Sequence, residues 1–309
     1  MRHMGDVLAG IHATWEFESD SVLIRFERGT RTPKLLQALG ERRIPHEALS
    51  SVTVTPGKRG TVVLRAVPRA GADPLVEAAA GQLRESGDPY RLVLPAERDT
   101  LAEYYADELR AALARSVRDA EEPAERYLVA APAPPLHFKA FDGKAYFDGD
   151  RVSFRWFWTG ASTTKWKAGD QSLPVGDLLG VEWRSPELFD GYLRLLRRDA
   201  AGVGAGTGTG TSTGTEPQPA QADHDPAAVV FGLGYGPVHE SLPFAAAVLA
   251  AVQNAAPNRA AVPVSAVTSL RRDPADVADR IRHLGELHQA GLVTDEEFSA
   301  KKAELLAEL

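Results

Sequence analysis

The sequence predicts an α+β chain: two tandem copies of one antiparallel domain, each closed by a C-terminal helix, followed by a small helical hairpin. Three observations predict it. Four sequence blocks recur in the same order at an offset near 130 residues. Short apolar–polar alternations separated by turn residues fill those blocks. Residues 273–309 carry two helical stretches with their own start and stop signals.

The first block is strand, acidic turn, strand: Phe17 to Phe26 aligns with Phe147 to Trp156, and Glu18 and Asp20 face Asp148 and Asp150 in the turn. Ile44 to Val52 then aligns with Leu173 to Val181, Gly60 to Arg65 with Gly191 to Leu196, and Asp88 to Leu94 with Asp225 to Phe231. Period-two alternation turns one side of each run inward, as antiparallel strands require. A helix then closes each copy. In the first, Asp99 and Thr100 cap a stretch with Leu101, Tyr104, Tyr105, Leu109 and Leu113 at helical spacing. In the second, Leu242 to Val252 is an Ala-rich apolar run suited to burial. A sheet of this size leaves one face bare, and the helix covers it.

The copies span residues 10–118 and 136–256, joined by a Pro-containing linker at 119–135. Within it, Tyr127-Leu128-Val129 reads as a short strand, an extended connector or a piece of copy two. The Gly/Thr-rich loop 202–222 cannot bury a core and is expected to be disordered. A second linker, 257–272, leads to the hairpin, 273–309. There Asp273-Pro274 starts a helix, Gly291 ends it, and Thr294 with Glu297 forms a capping box for the next. Its stripe of Ile281, Leu284, Leu287, Leu292, Phe298 and Leu305 needs a partner surface, because chains below about 40 residues rarely bury a sufficient core alone. The tethering linker favours a homo-oligomer or a protein partner bound through 273–309 over docking in cis.

Composition narrows the function classes. A 44% apolar and 25% charged makeup is that of an ordinary folded protein, and no run of about 18 uncharged apolar residues is present. The start, Met1 to Asp6, has no apolar core before a cleavage site, so a cytoplasmic protein is expected. With no cysteine there is no disulfide framework, thiolate metal site or thiol nucleophile. A net charge of −7 argues against nucleic acid as the main partner. The charge is uneven, however: residues 25–69 hold ten basic residues against three acidic ones, and residues 97–126 nine acidic against five basic. The basic face and the acidic helix are expected to neutralise each other.

Catalytic signatures are missing. Gly202 to Gly214 and Gly232 to Gly236 lack the third glycine and the strand–helix context of a dinucleotide fold, and no Walker lysine follows. His283 and His288 lie five apart, which does not aim two rings at one metal, and His46 and His137 have no ligand cluster beside them. The paired carboxylates at Glu18, Asp20, Asp148 and Asp150 occupy equivalent turns, where Asp is favoured for conformational reasons. No enzyme, cofactor or metal is therefore expected. Two features suit binding. Arg28, Arg31, Lys34, Arg42 and Arg43 form a possible anionic-ligand patch able to meet an anionic membrane surface. Phe157 and Trp158 stand where copy one has Glu27 and Arg28, and suit a contact between copies or with a partner.

The tail, Leu284 to Phe298 with Lys301 to Leu306, closely resembles the SHOCT (short C-terminal) domain. The copies resemble an actinobacterial domain of unknown function that is often duplicated ahead of such a tail. Trp15-Glu16-Phe17, Leu39 to Pro45 and Ala102 to Leu109 carry that likeness in copy one, and copy two lacks the last two elements. The strand meander with one terminal helix has the order of pleckstrin-homology-like (PH-like) domains. What the resemblance implies is a PH-like fold and an oligomerisation or interaction role, with no catalytic residues.

Overall fold

The computed structural model describes residues 6–116, 122–188, 190–198, 221–232 and 234–255. The chain divides into two units, 1–260 and 261–309, and every described residue belongs to the first. The hairpin with Ile281, Leu284, Leu287, Leu292, Phe298 and Leu305, the linker 257–272 and the Gly/Thr stretch to residue 220 lie outside the described residues. Ala222, placed above in a disordered loop, already belongs to a 3-10 turn, Ala222–His224.

Copy one opens with β1 (Asp6–Ala9), β2 (Ala13–Phe17) and β3 (Ser21–Phe26), followed by helix α1 (Lys34–Leu39) and β4 (Glu41–Pro45). These four strands form one antiparallel sheet in chain order. The 3-10 turn His46–Ala48 carries the chain into a second antiparallel sheet of β5 (Leu49–Pro56), β6 (Thr61–Pro68) and β7 (Arg91–Pro95), with α2 (Pro74–Ala79) between the last two. Helix α3 (Asp99–Ser116) closes the copy. Copy two repeats the plan with β8 (Leu136–Lys139), β9 (Gly143–Phe147), β10 (Arg151–Trp156), α4 (Thr163–Ala168) and β11 (Gln171–Pro174). Its second sheet holds β12 (Leu178–Arg184), β13 (Tyr192–Arg197) and β14 (Ala228–Val230), and α5 (Val238–Ala255) covers it.

The duplication extends to single hydrogen bonds. His46 N–H donates to Asp20 O at 2.9 Å, and Val175 N–H to Asp150 O at 2.8 Å. Ile11 N–H donates to Val93 O at 2.7 Å, and Phe141 N–H to Val230 O at 2.9 Å. Arg65 Nε meets Asp88 Oδ2 at 3.0 Å, and Arg194 Nε meets Asp225 Oδ2 at 2.9 Å. The cores compensate by volume: Trp15 pairs across strands with Ile24, whereas Ala145 pairs with Phe154. One aligned block needs correcting. Val52 pairs with Ala66 and Val181 with Leu195, each beyond the same bulge, so Arg65 matches Arg194 and not Leu196. A two-residue slip leaves every side chain on its original face, which is why the pattern alone did not reveal it.

Each copy has its own core, around Trp15, Ile44, Leu64 and Leu92 in copy one and Phe138, Phe154, Trp183 and Phe244 in copy two. The second core also takes in Leu35, Leu75, Ala78 and Ala79 from α1 and α2 of copy one. These short helices escaped the sequence reading because six residues are too few for a 3.6-residue period to show. The linker is likewise tied down. Leu128 and Val129 N–H groups donate to Ala72 O at 2.8 and 3.0 Å, making this stretch an extended connector against copy one.

Candidate functional site

The five residues of the expected basic patch do not share a face. Arg28 and Arg31 are exposed on the loop after β3, and Lys34 is exposed at the start of α1; none forms an ion pair among the described residues. Arg43 pairs with Glu18 and donates to Ser21 Oγ at 3.0 Å, nearer the opposite end of the sheet. Arg42 is inside the protein. Its Nη2 meets Asp73 Oδ1 at 2.8 Å and its Nε donates to Tyr90 Oη at 3.1 Å, while the Tyr90 hydroxyl donates to Asp73 Oδ2. Burial opposes the Arg42 charge, but Tyr90 and Asp73 outweigh it and hold the guanidinium above its usual value. Burial and the Asp73 charge push the Tyr90 phenol well above the ordinary range. Arg42 is therefore removed from the patch: it alternates inward on β4, and its charge is spent on Asp73.

Other basic side chains join Arg28 and Arg31 at that end of copy one. Lys58 and Arg59 are exposed in the β5–β6 turn, which Ala96 N–H reaches at Gly60 O, 3.1 Å away; Arg98 Nη1 donates to Ala9 O at 2.8 Å beside the β1–β2 loop. No ion pair joins the basic stretch to α3 among the described residues. Arg25, Arg42, Arg43 and Arg65 pair instead with Glu16, Asp73, Glu18 and Asp88. Within α3, Asp107 binds Arg110 of the same helix at 2.7 Å.

Copy two carries a different buried pair. Lys165 Nζ meets Asp142 Oδ2 at 2.5 Å, and Val230 N–H donates to Asp142 Oδ1 at 2.9 Å. Burial pushes the Asp142 carboxyl up against the downward pull of Lys165. The Lys165 ammonium also lies 5.1 Å from the centroid of the Trp156 ring. These groups saturate one another, as buried charges must. Glu18 and Asp20 each lie 2.8 Å from Ser21 Oγ, and Asp148 Oδ1 accepts from the N–H groups of Asp150 and Arg151 at 2.9 and 2.7 Å. The paired carboxylates thus serve their turns.

The contact between the copies is made elsewhere than at Phe157 and Trp158. Both are half-buried, and the Trp158 ring meets Trp166 of its own copy edge-on, with centroids 4.6 Å apart. Gln82, just beyond α2, forms the polar part of the junction: its Nε2 donates to Trp183 O at 3.1 Å and its Oε1 accepts from Ser185 N–H at 2.8 Å. Arg84 pairs with Glu187 at 2.8 Å, and Gln253 Oε1 accepts from Tyr127 N–H at 2.8 Å. Sequence reasoning missed these residues, though Asp73-Pro74 signals a helix start as plainly as Asp273-Pro274 does. The Asp73 carboxylate accepts from Leu75 N–H at 2.8 Å.

Between the copies lies an open groove of about 730 Å³. Lys34, Leu35, Leu83, Arg84 and Gly87 line it from copy one, and Glu187, Leu188, Asp190, Phe231, Tyr235 and His239 from copy two. Leu188 is 49% exposed and Tyr235 44%. Burial lowers the basicity of His239, and the Lys34 charge pushes the same way against Glu240. No group of His, Asp and Glu able to hold a metal occurs among the described residues, and none of their helices is long and apolar enough to cross a membrane.

A family model described as Domain of unknown function (DUF4429) matches residues 15–110 and 145–249, once in each copy. A second, Short C-terminal domain (SHOCT), matches residues 279–306. No curated protein matches the chain.

Proposed function

Because the chain belongs to the DUF4429 domain family and carries a Short C-terminal domain behind its two copies, we propose that it is a non-enzymatic interaction protein. The two copies act as one platform, and residues 273–309 act as an assembly or recruitment arm. The observation that carries this reading is the shared core. Leu35, Leu75, Ala78 and Ala79 of copy one are buried with Phe244 and Trp183 of copy two, so the pair presents one continuous surface. The four-plus-three strand order closed by a helix supports a PH-like assignment for each copy, a fold class that serves many binding roles. The working compartment is the cytoplasm, and the arm's apolar stripe suits a second copy of the chain.

Light scattering on the full chain tests the arm. A mass above the 33.3 kDa of one chain is expected, falling to 33.3 kDa when Leu284→Asp and Leu287→Asp break the stripe. A wild-type chain that stays at 33.3 kDa at all concentrations would remove self-assembly from this reading.

A second reading is peripheral binding to an anionic membrane, favoured by Arg28, Arg31, Lys58 and Arg59 exposed at one end of copy one. Each such residue near a charged surface contributes about 1 kcal/mol. Salt-sensitive binding to phosphatidylserine vesicles, lost on Arg28→Glu with Arg31→Glu, is expected under it; salt-independent or unchanged binding would dismiss it.

A further inference from the structure

The groove between the copies is lined by different segments of each copy. Its floor is apolar: Leu35 of α1 is 5% exposed and Phe231 7%, with Leu83 beside them. Its lips carry Leu188 and Tyr235, large apolar side chains left about half exposed. Tyr235 in turn meets Phe141 edge-on, with ring centroids 6.3 Å apart, and Phe141 is 50% exposed. Single exposed apolar residues are ordinary, whereas Leu188 and Tyr235 on one concavity, with Phe141 packed behind Tyr235, mark a contact surface.

The charges in the groove are unequal in their commitments. Arg84 and Glu187 neutralise each other across the junction at 2.8 Å. Lys34 has no ion pair among the described residues and acts electrostatically on His239, whose nearest carboxylate, Glu240, is 3.7 Å away. Asp190 is the other carboxylate lining the groove. An acidic group placed beside Lys34 would complete that end. A small-molecule site encloses most of its ligand, but this groove is partly open to solvent and is walled by segments of both copies.

We propose that the groove binds an extended peptide segment of a protein partner, with a large apolar side chain seated between Leu188 and Tyr235 and an acidic residue beside Lys34. This inference rests on the interaction-protein reading but not on the C-terminal arm, so binding and mass separate the two. Leu35, Leu83 and Phe231 receive the apolar anchor. Gly87 opens onto that floor: a Cβ added there would lie 3.9 Å from both Leu35 Cδ2 and Leu83 Cδ2, in ordinary contact. A large side chain at this position would therefore start from the apolar floor and occupy space that the anchor needs.

The test is selection from a random peptide library displayed on phage, using the full-length chain as bait. Enriched peptides should pair Leu, Phe or Trp with a nearby Asp or Glu, and synthetic copies should bind with Kd in the micromolar range. Lys34→Glu, Leu188→Ser and Gly87→Phe should each weaken them about tenfold or more, as loss of a central contact does. The two exposed positions, Lys34 and Leu188, guard against a variant that merely fails to fold. Failure to enrich any such motif, or peptides that bind all three variants like the wild type, would overturn the proposal. Binding to phosphatidylserine vesicles that Leu188→Ser abolishes would assign the groove to lipid and overturn it too.

Discussion

Removing one member of the Arg42–Asp73–Tyr90 cluster should cost far more than loss of an exposed pair. Asp73→Ala leaves the Arg42 guanidinium buried and unpaired and also removes the α2 cap, so a loss of about 3–5 kcal/mol is expected from urea unfolding. Glu16→Ala, which leaves the half-exposed Arg25 with Glu41 alone at 3.8 Å, should cost no more than about 1 kcal/mol. His46 offers a pH effect of known sign. It is 5% exposed, its Nε2 has no hydrogen-bond partner, and burial lowers its pKa from 6.5. The unfolded chain therefore takes up the proton more readily, and stability falls as pH drops below about 6.5. Copy two has Val175 at the equivalent place, so His46→Val should flatten part of that fall in melting temperature between neutral pH and about pH 5. An unchanged slope would mean that His46 does not contribute. The sequence showed these charges but not their depth. Arg42 and Arg43 are adjacent in the chain, and the strand's alternation sends one inward and the other out.

Helix α2 is the element on which the two copies depend. Ala79 is 2% exposed within copy two's core, and Ala79→Glu would force an unpaired charge there. A loss of about 3–5 kcal/mol is expected, with earlier protease cleavage between the copies; a variant that melts like the wild type would show that the junction yields locally. The terminal helices explain what was legible at this scale. Leu242 to Val252 reads as a helix to be buried, and Ser241 to Val248 are all buried, because copy one covers the side of α5 that faces away from its own sheet. The equivalent side of α3 is left open and bears Glu103, Tyr104, Asp107 and Glu108, which its mixed sequence already suggested. What covers α5 was not legible, since a helix of six residues leaves no periodic trace.

The molecule as a whole joins its copies head to tail, through different surfaces on each. Such heterologous contacts run on into filaments unless their free ends diverge. Here they diverge: α3 turns an acidic face outward, and α4 puts Thr164 and Lys165 where α1 has Leu35 and Leu36. These two surfaces therefore do not repeat the contact that joins the copies. A fragment spanning residues 136–309 loses Leu35, Leu75, Ala78 and Ala79 from its core. It should aggregate or melt well below the full chain, and supplying residues 1–135 in trans should restore it. Full stability of the fragment alone would contradict a shared core. The duplication was readable because turn acids, the Asp-Pro corners and strand alternation survive in both copies. The junction was hidden because the short helices differ: α1 offers Leu35 and Leu36 where α4 has Thr164 and Lys165.

The shared core also sets an order of events during synthesis. Domains fold as they emerge, N-terminal first, so copy one leaves the ribosome with the apolar side of α2 uncovered. That side stays open until α5, the last described element, has been made. Throughout that interval the nascent chain displays a sticky, unfinished surface, and a translational pause before residue 255 would prolong the danger. A chaperone that shields Leu75 and Ala78 would help most at that stage, and its work would end when the second copy closes over them.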